Sequence, residues 1–434
     1  VTDLPSPMTN GEIEVLQRRN VRYSNLNGVT AALAANMVAP FLGIFALRLG
    51  ATNLQIGLMS SLPAFFSLVS AIPGGRILDR AAHKQAAACG LVIAARAFFI
   101  VYALAPLFTG PTAPWFLVAA VALANLPTTL SQVAFQSLIA EVLPPRGRAR
   151  ALAARTRLIS LAGIVPLLIV GRLMDVLRFP VGYQLVFAAA FGIGLIEALL
   201  LLRLVEMPEE AMPDPGQPGA TFNPANAFNA SAPRRGATLA EVLSNREFVH
   251  FDMASLVLYL GWGMAGPLWT RYRVSIMGAN NTWISVYAVT EALAAFAALF
   301  YWARLGERRG NRNVLWWVAM ALAGNVWTLA AFVDLRFGLI TPIWCGVFNS
   351  GANLLLFNSL LEIIPNRRRA SYLAYHTTVI NLAHLGGPLL AVALMDSLGI
   401  RQALFISGVV RMLGGLLFLR FRPHVVAARQ AGEA

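Results

Sequence analysis

The sequence predicts an all-α membrane protein, with twelve spanning helices in two pseudo-symmetric six-helix bundles. Three observations carry this: an apolar and charge-poor composition, twelve separated apolar runs, and a repeat that relates the first six runs to the last six. Of 434 residues, 57% are hydrophobic and 12% charged, against about 25% charged in soluble domains. One aqueous core cannot hide that much apolar surface, so the lipid bilayer is the expected partner of most of the chain. The net charge of +14 does not point to nucleic acid, because the basic residues cluster at the ends of apolar runs and not along one face. Cys89 and Cys345 both fall inside apolar runs and imply neither a disulfide framework nor a metal site.

About 20 apolar residues cross the hydrocarbon core as a helix. The twelve expected spans lie near 24–48, 55–75, 85–108, 114–141, 153–175, 181–203, 249–270, 282–303, 313–334, 338–362, 371–396 and 401–420. Helix is required because an open sheet in lipid leaves backbone groups unpaired. With the N-terminus inside, 25 of the 34 Lys and Arg residues fall on inner segments and 7, including Arg273, on outer ones. By the positive-inside bias both termini face the cytoplasm. The stretch 206–246 is rich in Pro, Asn and Ala and is expected to be a linker. Near its end Thr238 and Glu241 have capping-box spacing, which predicts a short interfacial helix. The expected units are therefore 1–205, the linker, and 247–434.

The halves repeat. "AEVLPPRGRARALAARTR" from Ala140 and "LEIIPNRRRASYLAYHTT" from Leu361 align at an offset of 221, laying Glu141 on Glu362 and Arg148 on Arg369. The same offset carries Asp175 onto Asp396. Earlier in each half the offset is 228, and it pairs Gly50 with Gly278 and Asn53 with Asn281. It also lays Asp79 and Arg80 on Glu307 and Arg308. Six spans is an even number, so both halves enter from the same side, the parallel repeat of transporters whose site lies between halves.

The loop between spans 2 and 3 resembles the G-x-x-x-D-R-x-G-R-[RK] signature of the major facilitator superfamily, here Gly75, Asp79, Arg80, His83 and Lys84, with Ala82 at the second glycine. The chain is similar to that family along its whole length. The resemblance implies alternating access, with Gly75, Asp79, Arg80, Lys84, Glu141, Arg148, Glu307, Arg308, Glu362 and Arg369 latching the inner side. It also implies that spans 1, 4, 7 and 10 line the central path.

The residues support a polar path independently. Asn125, Thr128, Gln132 and Gln136 recur at steps of three and four on span 4, one face of a helix. Asn349 and Asn353 on span 10 match Thr128 and Gln132 at the 221 offset. Amides are costly in lipid, so these faces are expected to meet water or solute. Asn36 on span 1 and Tyr259 and Trp262 on span 7 complete the expected substrate site, while Trp269 reads as an interfacial tryptophan. Glu291 lies mid-span, where a charge costs at least ~2.5 kcal/mol, and is the first candidate for proton coupling. His384 is the second. Arg96 and Glu197 are expected to form a structural pair.

The five histidines have no metal-ligand spacing and no phosphate loop follows a strand, so neither an enzyme nor a cofactor is expected. The expected function is secondary transport of a small, uncharged or amphipathic organic solute by a monomer, coupled to protons. Drug efflux, sugar or nutrient uptake, and a non-transport scaffold or receptor are the alternatives. Span 5 lacks the Gly-Pro dipeptide of the family's antiporter signature, having Gly163, Pro166 and Gly171 instead.

Overall fold

The computed structural model describes residues 10–79, 84–143, 145–205, 238–365 and 368–421. Among them the chain is helical throughout, without strands. The first half contains α1 (Asn10–Asn36), α2 (Leu42–Arg48), α3 (Asn53–Asp79), α4 (Lys84–Ala103) and α5 (Thr112–Val142). It continues with α6 (Pro145–Ala162), α7 (Ile164–Val176) and α8 (Val181–Leu201). The second half contains α9 (Leu239–Ser244), α10 (Arg246–Arg271), α11 (Asn281–Arg309), α12 (Asn311–Ala321) and α13 (Ala323–Ala331). It ends with α14 (Ile340–Ile363), α15 (Arg369–Leu398) and α16 (Ile400–Leu417). Three spans are built from two helices each: α1 with α2, α6 with α7, and α12 with α13. Eleven of the described helices or helix pairs are long and apolar enough to cross a membrane. The 27-residue α3 occupies the place of the second span.

Several helices outrun their apolar runs. Helix α1 begins at Asn10, well before the expected start at 24. Its polar first turns are held by an Arg18–Glu14 pair one turn apart and by Asn20. The buried Asn20 amide donates to the carbonyls of Val142 (3.0 Å) and Val205 (2.7 Å), tying α1 to the ends of α5 and α8. The capping box forms as its spacing predicts: Glu241 N–H donates to Thr238 Oγ1 (3.4 Å) and Thr238 N–H to Glu241 Oε2 (3.0 Å).

Lipid gives helices little hydrophobic reason to associate, so packing and internal polar contacts decide the bundle. In the first half α4 packs on α5 and α8, α1 on α8, and α3 on α5. In the second half α10 packs on α15 and α16, and α11 on α14. Phe45 stacks on Tyr183 at 4.7 Å and meets Phe187 edge-on at 5.4 Å, an aromatic core joining α2 to α8. The second half centres on Trp302, whose indole N–H donates to the Val347 carbonyl at 2.7 Å.

The repeat is visible in the backbone. Gly50 and Gly278, one offset apart, are both left-handed, with φ of 88° and 70°. Each makes the turn that leads into the first helix of an interface between halves, a conformation open to glycine at no steric cost. The halves meet where α3 packs on α15 and α7 packs on α11.

Candidate functional site

The face opposite the start of α1 and the end of α16, the distal face, is held by two contacts that are copies of one another. Asp175 at the end of α7 caps the start of α11. Its Oδ1 accepts from Asn281 N–H and Nδ2, both at 3.0 Å, and its Oδ2 from Thr282 N–H at 2.7 Å and Oγ1 at 2.6 Å. Tyr183 adds a hydroxyl bond to Asn281 Oδ1 at 2.6 Å, and Arg48 stands 3.7 Å from Asp175. In the mirrored contact, Asn53 at the start of α3 donates to Asp396 near the end of α15 at 2.6 Å. A carboxylate at a helix N-terminus satisfies orphan N–H groups and meets the positive end of the helix dipole. One turn deeper the helices touch through glycine. A Cβ on Gly171 would lie 1.9 Å from Ser285 Oγ, and one on Gly57 2.5 Å from Val392 Cγ2. These pairs too are related by the two offsets.

A cavity of about 390 Å³ lies inside the first half. Its walls come from α1 (Asn27, Gly28, Ala31, Ala35), α4 (Ala95, Arg96), α5 (Thr128, Ser131, Gln132, Phe135), α6 (Arg155, Ile159) and α8 (Glu197). Thr128 and Gln132 of the predicted stripe therefore line a real space. Gln136 is exposed, and Asn125 donates to its own helix at Val121 O, 2.9 Å away. Asn36 sits against Gly163, where α6 gives way to α7: a Cβ on Gly163 would fall 2.0 Å from Asn36 Nδ2. Arg96 and Glu197 form the expected pair, Nε to Oε2 at 2.8 Å and Nη2 to Oε1 at 3.1 Å. Arg155 donates to the Ser24 carbonyl and to Asn27 Oδ1 (3.1 Å), with its guanidinium 4.5 Å from the Phe135 ring centre. With two cations and one carboxylate on its walls, this cavity is net positive.

The second half carries a polar chain through its centre. Arg411, fully buried on α16, donates to Asn325 Oδ1 (2.5 Å) and to the Gly261 carbonyl (3.0 Å). Asn325 lies 3.9 Å from Cys345 Sγ, Cys345 donates to Glu291 Oε1 at 3.0 Å, and Asn349 Nδ2 reaches Cys345 at 2.8 Å and Glu291 at 3.5 Å. Glu291 is thus partnered from α14, the predicted cavity helix. Asn353, one turn along, is exposed and donates to Asn349 O. Tyr259 and Trp262 stack on each other at 5.5 Å and 8°, and His384 meets the Tyr259 ring at 5.6 Å.

Arg273, Trp269, Asp252 and Cys345 escaped the sequence reading. Arg273, counted on an outer segment, turns inward and lies between the rings of Trp269 (5.0 Å) and Tyr287 (4.7 Å). Trp269 is not an interfacial anchor: its indole nitrogen is buried. A signal existed. At the 228 offset Trp269 and Arg273 fall on Phe41 and Phe45, which are wholly buried. Asp252 pairs with His376 at 2.6 Å in the second-half core.

Of the expected inner latch, Glu362 accepts from Asn311 at 2.6 Å and pairs with Arg312 at 3.4 Å, within its own half. Glu307 and Arg308 are exposed at the end of α11, and Arg369 opens α15. Gly75, Asp79 and Lys84 fall on helical backbone at the end of α3 and the start of α4. Arg80 and His83, and the side chains of Asp79, Lys84, Glu141 and Arg148, lie outside the described residues.

Two similar six-helix bundles, joined at one face by mirrored contacts and carrying polar clusters within the membrane, define a secondary transporter rather than an enzyme. The chain belongs to the Major Facilitator Superfamily, which it matches over residues 25–251 and 251–434. A curated relative, the multidrug resistance protein MdtG of Dickeya zeae, is 31% identical over 162 residues, covering 36% of this chain and 38% of that protein. Among solved structures, the nucleoside transporter NupG (D323A mutant) superposes with a TM-score of 0.70 at 12% identity, over 93% of this chain and all of that one. A bacterial homologue of the human lysosomal transporter Spinster, in an inward-facing and occupied conformation, gives 0.67 at 14% identity, over 95% of this chain and 97% of that one.

Proposed function

We propose that the protein moves a small amphipathic organic solute across the cytoplasmic membrane by alternating access, as a monomer with both termini in the cytoplasm. Residues 1–205 and 247–434 act as two rocking units, joined by the linker 206–246. The observation that carries the reading is the mirrored distal contact: Asp175 on Asn281 and Thr282, and Asp396 on Asn53. Contacts made of a few hydrogen bonds at opposite ends of an interface can be exchanged for others at modest cost, each being worth about 0.5–1.5 kcal/mol net. With the distal face joined, solute reaches the polar walls from the cytoplasmic side.

Glu291 is the proposed proton carrier, because its carboxylate is bonded to Cys345 and Asn349 on α14, the helix expected to line the central path. His384 is the lesser candidate, with its ring against Tyr259. Thr128, Gln132, Asn349 and Asn353 are the proposed polar contacts for solute, and Tyr259 and Trp262 the aromatic ones. The Asp79 loop and its repeat at Glu307 are the proposed inner latch. Drug export is a second reading, favoured by the 31% identity to a multidrug resistance protein.

The test is purified protein in liposomes with an imposed pH gradient and a panel of neutral, anionic and cationic aromatic solutes. Wild type should accumulate at least one of them, and Glu291→Gln should lose gradient-driven accumulation while keeping solute exchange. Accumulation undiminished in Glu291→Gln removes Glu291 as carrier; no movement of any solute, with partner subunits co-purifying, favours a scaffold.

A further inference from the structure

Arg273 lies on a π-helical turn, Tyr272–Ile276, that continues α10. Such turns carry an extra residue and recur at functional sites. Here the turn accompanies a guanidinium held between an aromatic ring of α10 and one of α11. Its Nε and Nη2 are sealed from solvent and have no hydrogen-bond partner. Two other polar atoms of the second half share that condition: the indole N–H of Trp269, one turn back, and Oδ1 of Asn349, a residue bonded to Glu291. Buried polar groups left unpaired are costly, and native structures seldom keep several together without use for them. The fold does not demand a cation at this position, since its counterpart in the first half is the buried Phe45.

The orphaned pair is specific. Nε and Nη2 form one side of the guanidinium fork, the side that takes both oxygens of a carboxylate. Resting on the transporter reading above, we infer that Arg273 and Trp269 form a binding site for the carboxylate of an amphipathic organic acid, with Asn349 and Glu291 as its polar floor.

Glu291 stands one turn along α11 from Tyr287, the ring that Arg273 touches, and its carboxylate acts electrostatically on the guanidinium. Empty, the site holds one cation and one anion. A bound carboxylate adds an uncompensated negative charge in a low-dielectric setting, unless Glu291 takes up a proton. A doubly charged phosphate would stay uncompensated even then, so a monoacid is the fitting ligand. Among the described residues, the other buried cation on this polar chain, Arg411, is already bonded to Asn325 Oδ1 and to the Gly261, Leu322 and Trp262 carbonyls. From α14, Glu291 meets Cys345 and Asn349. On α7, Asp175 is committed to the start of α11 and Arg172 is exposed. On α12, Arg312 is committed to Glu247 and Glu362. The acid and its proton therefore bind together and travel in the same direction.

Isothermal calorimetry on the full chain in lipid nanodiscs tests this with benzoate, its neutral isostere benzamide, and phenyl phosphate as probes. Wild type should bind benzoate about tenfold more tightly than the other two. Its benzoate affinity should weaken in alkaline buffer. Arg273→Gln should bind benzoate and benzamide alike, Arg273→Lys should keep part of the preference, and Glu291→Gln should hold benzoate in alkaline buffer as tightly as wild type does in acid. The inference is overturned if wild type shows no preference for benzoate, including no binding of either probe, or if the preference survives in Arg273→Gln. Should Arg273→Gln fail to fold, the wild-type comparison of acid and alkaline buffer decides: an unchanged benzoate affinity also overturns it. A protein that moves neutral solutes in liposomes but ignores benzoate keeps the transporter reading and loses this site. One that binds benzoate yet moves nothing does the reverse.

Discussion

Asp175 and Asn281 belong to different halves of the chain and are joined by two hydrogen bonds of 3.0 Å, which Asn281 donates to one carboxylate oxygen. Their counterparts in the repeat, Asp396 and Asn53, are joined at 2.6 Å. The two contacts are not equal. Asp175 caps two backbone N–H groups of α11 and takes the Thr282 hydroxyl as well, whereas Asp396 has the single amide bond to α3 described here. Asp175→Asn should therefore loosen the distal face more than Asp396→Asn does. A lost cap is worth about 1 kcal/mol, which shifts a two-state balance roughly fivefold. Hydrogen exchange at the start of α11 and of α3 checks the order: equal or reversed effects contradict it.

The glycine contacts beneath the caps give a steric version of the same experiment. Gly171 faces Ser285 Oγ at 1.9 Å and the Asn281 carbonyl at 2.7 Å from a built Cβ, and a backbone oxygen cannot step aside. Gly57 faces chiefly the tip of Val392, which can rotate. Gly171→Ala should keep the distal face from closing and slow transport by an order of magnitude or more, while Gly57→Ala should slow it modestly. Turnover in liposomes and thermal stability, measured together, separate a blocked cycle from a misfolded chain.

Arg96 and Glu197 are paired side-on inside the first half, and Glu197 is nearly shut from solvent. Removing one partner leaves an uncompensated charge, a loss of about 3–5 kcal/mol for a buried pair. Glu197→Gln should lower the unfolding temperature clearly, and adding Arg96→Leu should recover much of it. A Glu197→Gln protein as stable as wild type would argue that the pair is hydrated by the cavity it borders.

The linker helix α9 carries a pH dependence of defined sign. Glu241 is exposed, and its carboxyl is held below the usual carboxylate range, first by hydrogen bonding from Arg368 and then by the Thr238 N–H. Its folded-state pKa lies below the unfolded-state value of about 4.3. The contribution is therefore complete above the unfolded value and disappears as pH falls through the folded one. Amide protection across 238–244, taken relative to the intrinsic exchange rate at each pH, should be steady from neutral to mildly acidic pH and fall only in stronger acid. In Arg368→Gln the fall should begin at higher pH.

The architecture was legible because lipid forces helix on every apolar run, and because both halves reuse the same turn glycines, Gly50 and Gly278, and the same acids, Asp175 and Asp396. The helix ends were less so. The start of α1 is set by Asn20 reaching two distant carbonyls, which hydropathy does not register. Within the stripe, Thr128 and Gln132 reach the cavity, but Asn36 is spent against Gly163, a tertiary contact that one-helix periodicity cannot foresee. Arg273 was hidden for a similar reason. By sequence it follows Arg271 just past an apolar run and reads as a loop cation, and only the turn after α10 brings it between Trp269 and Tyr287.

In the proposed cycle the distal face closes in one state and opens in another. Spin labels at the exposed Arg178 and Arg401, on opposite halves of that face, read this directly by pulsed dipolar spectroscopy in nanodiscs. Two separations are expected in the wild type, the longer one growing in the Asp175→Asn/Asp396→Asn double variant. A single separation, the same in both proteins, would contradict the account.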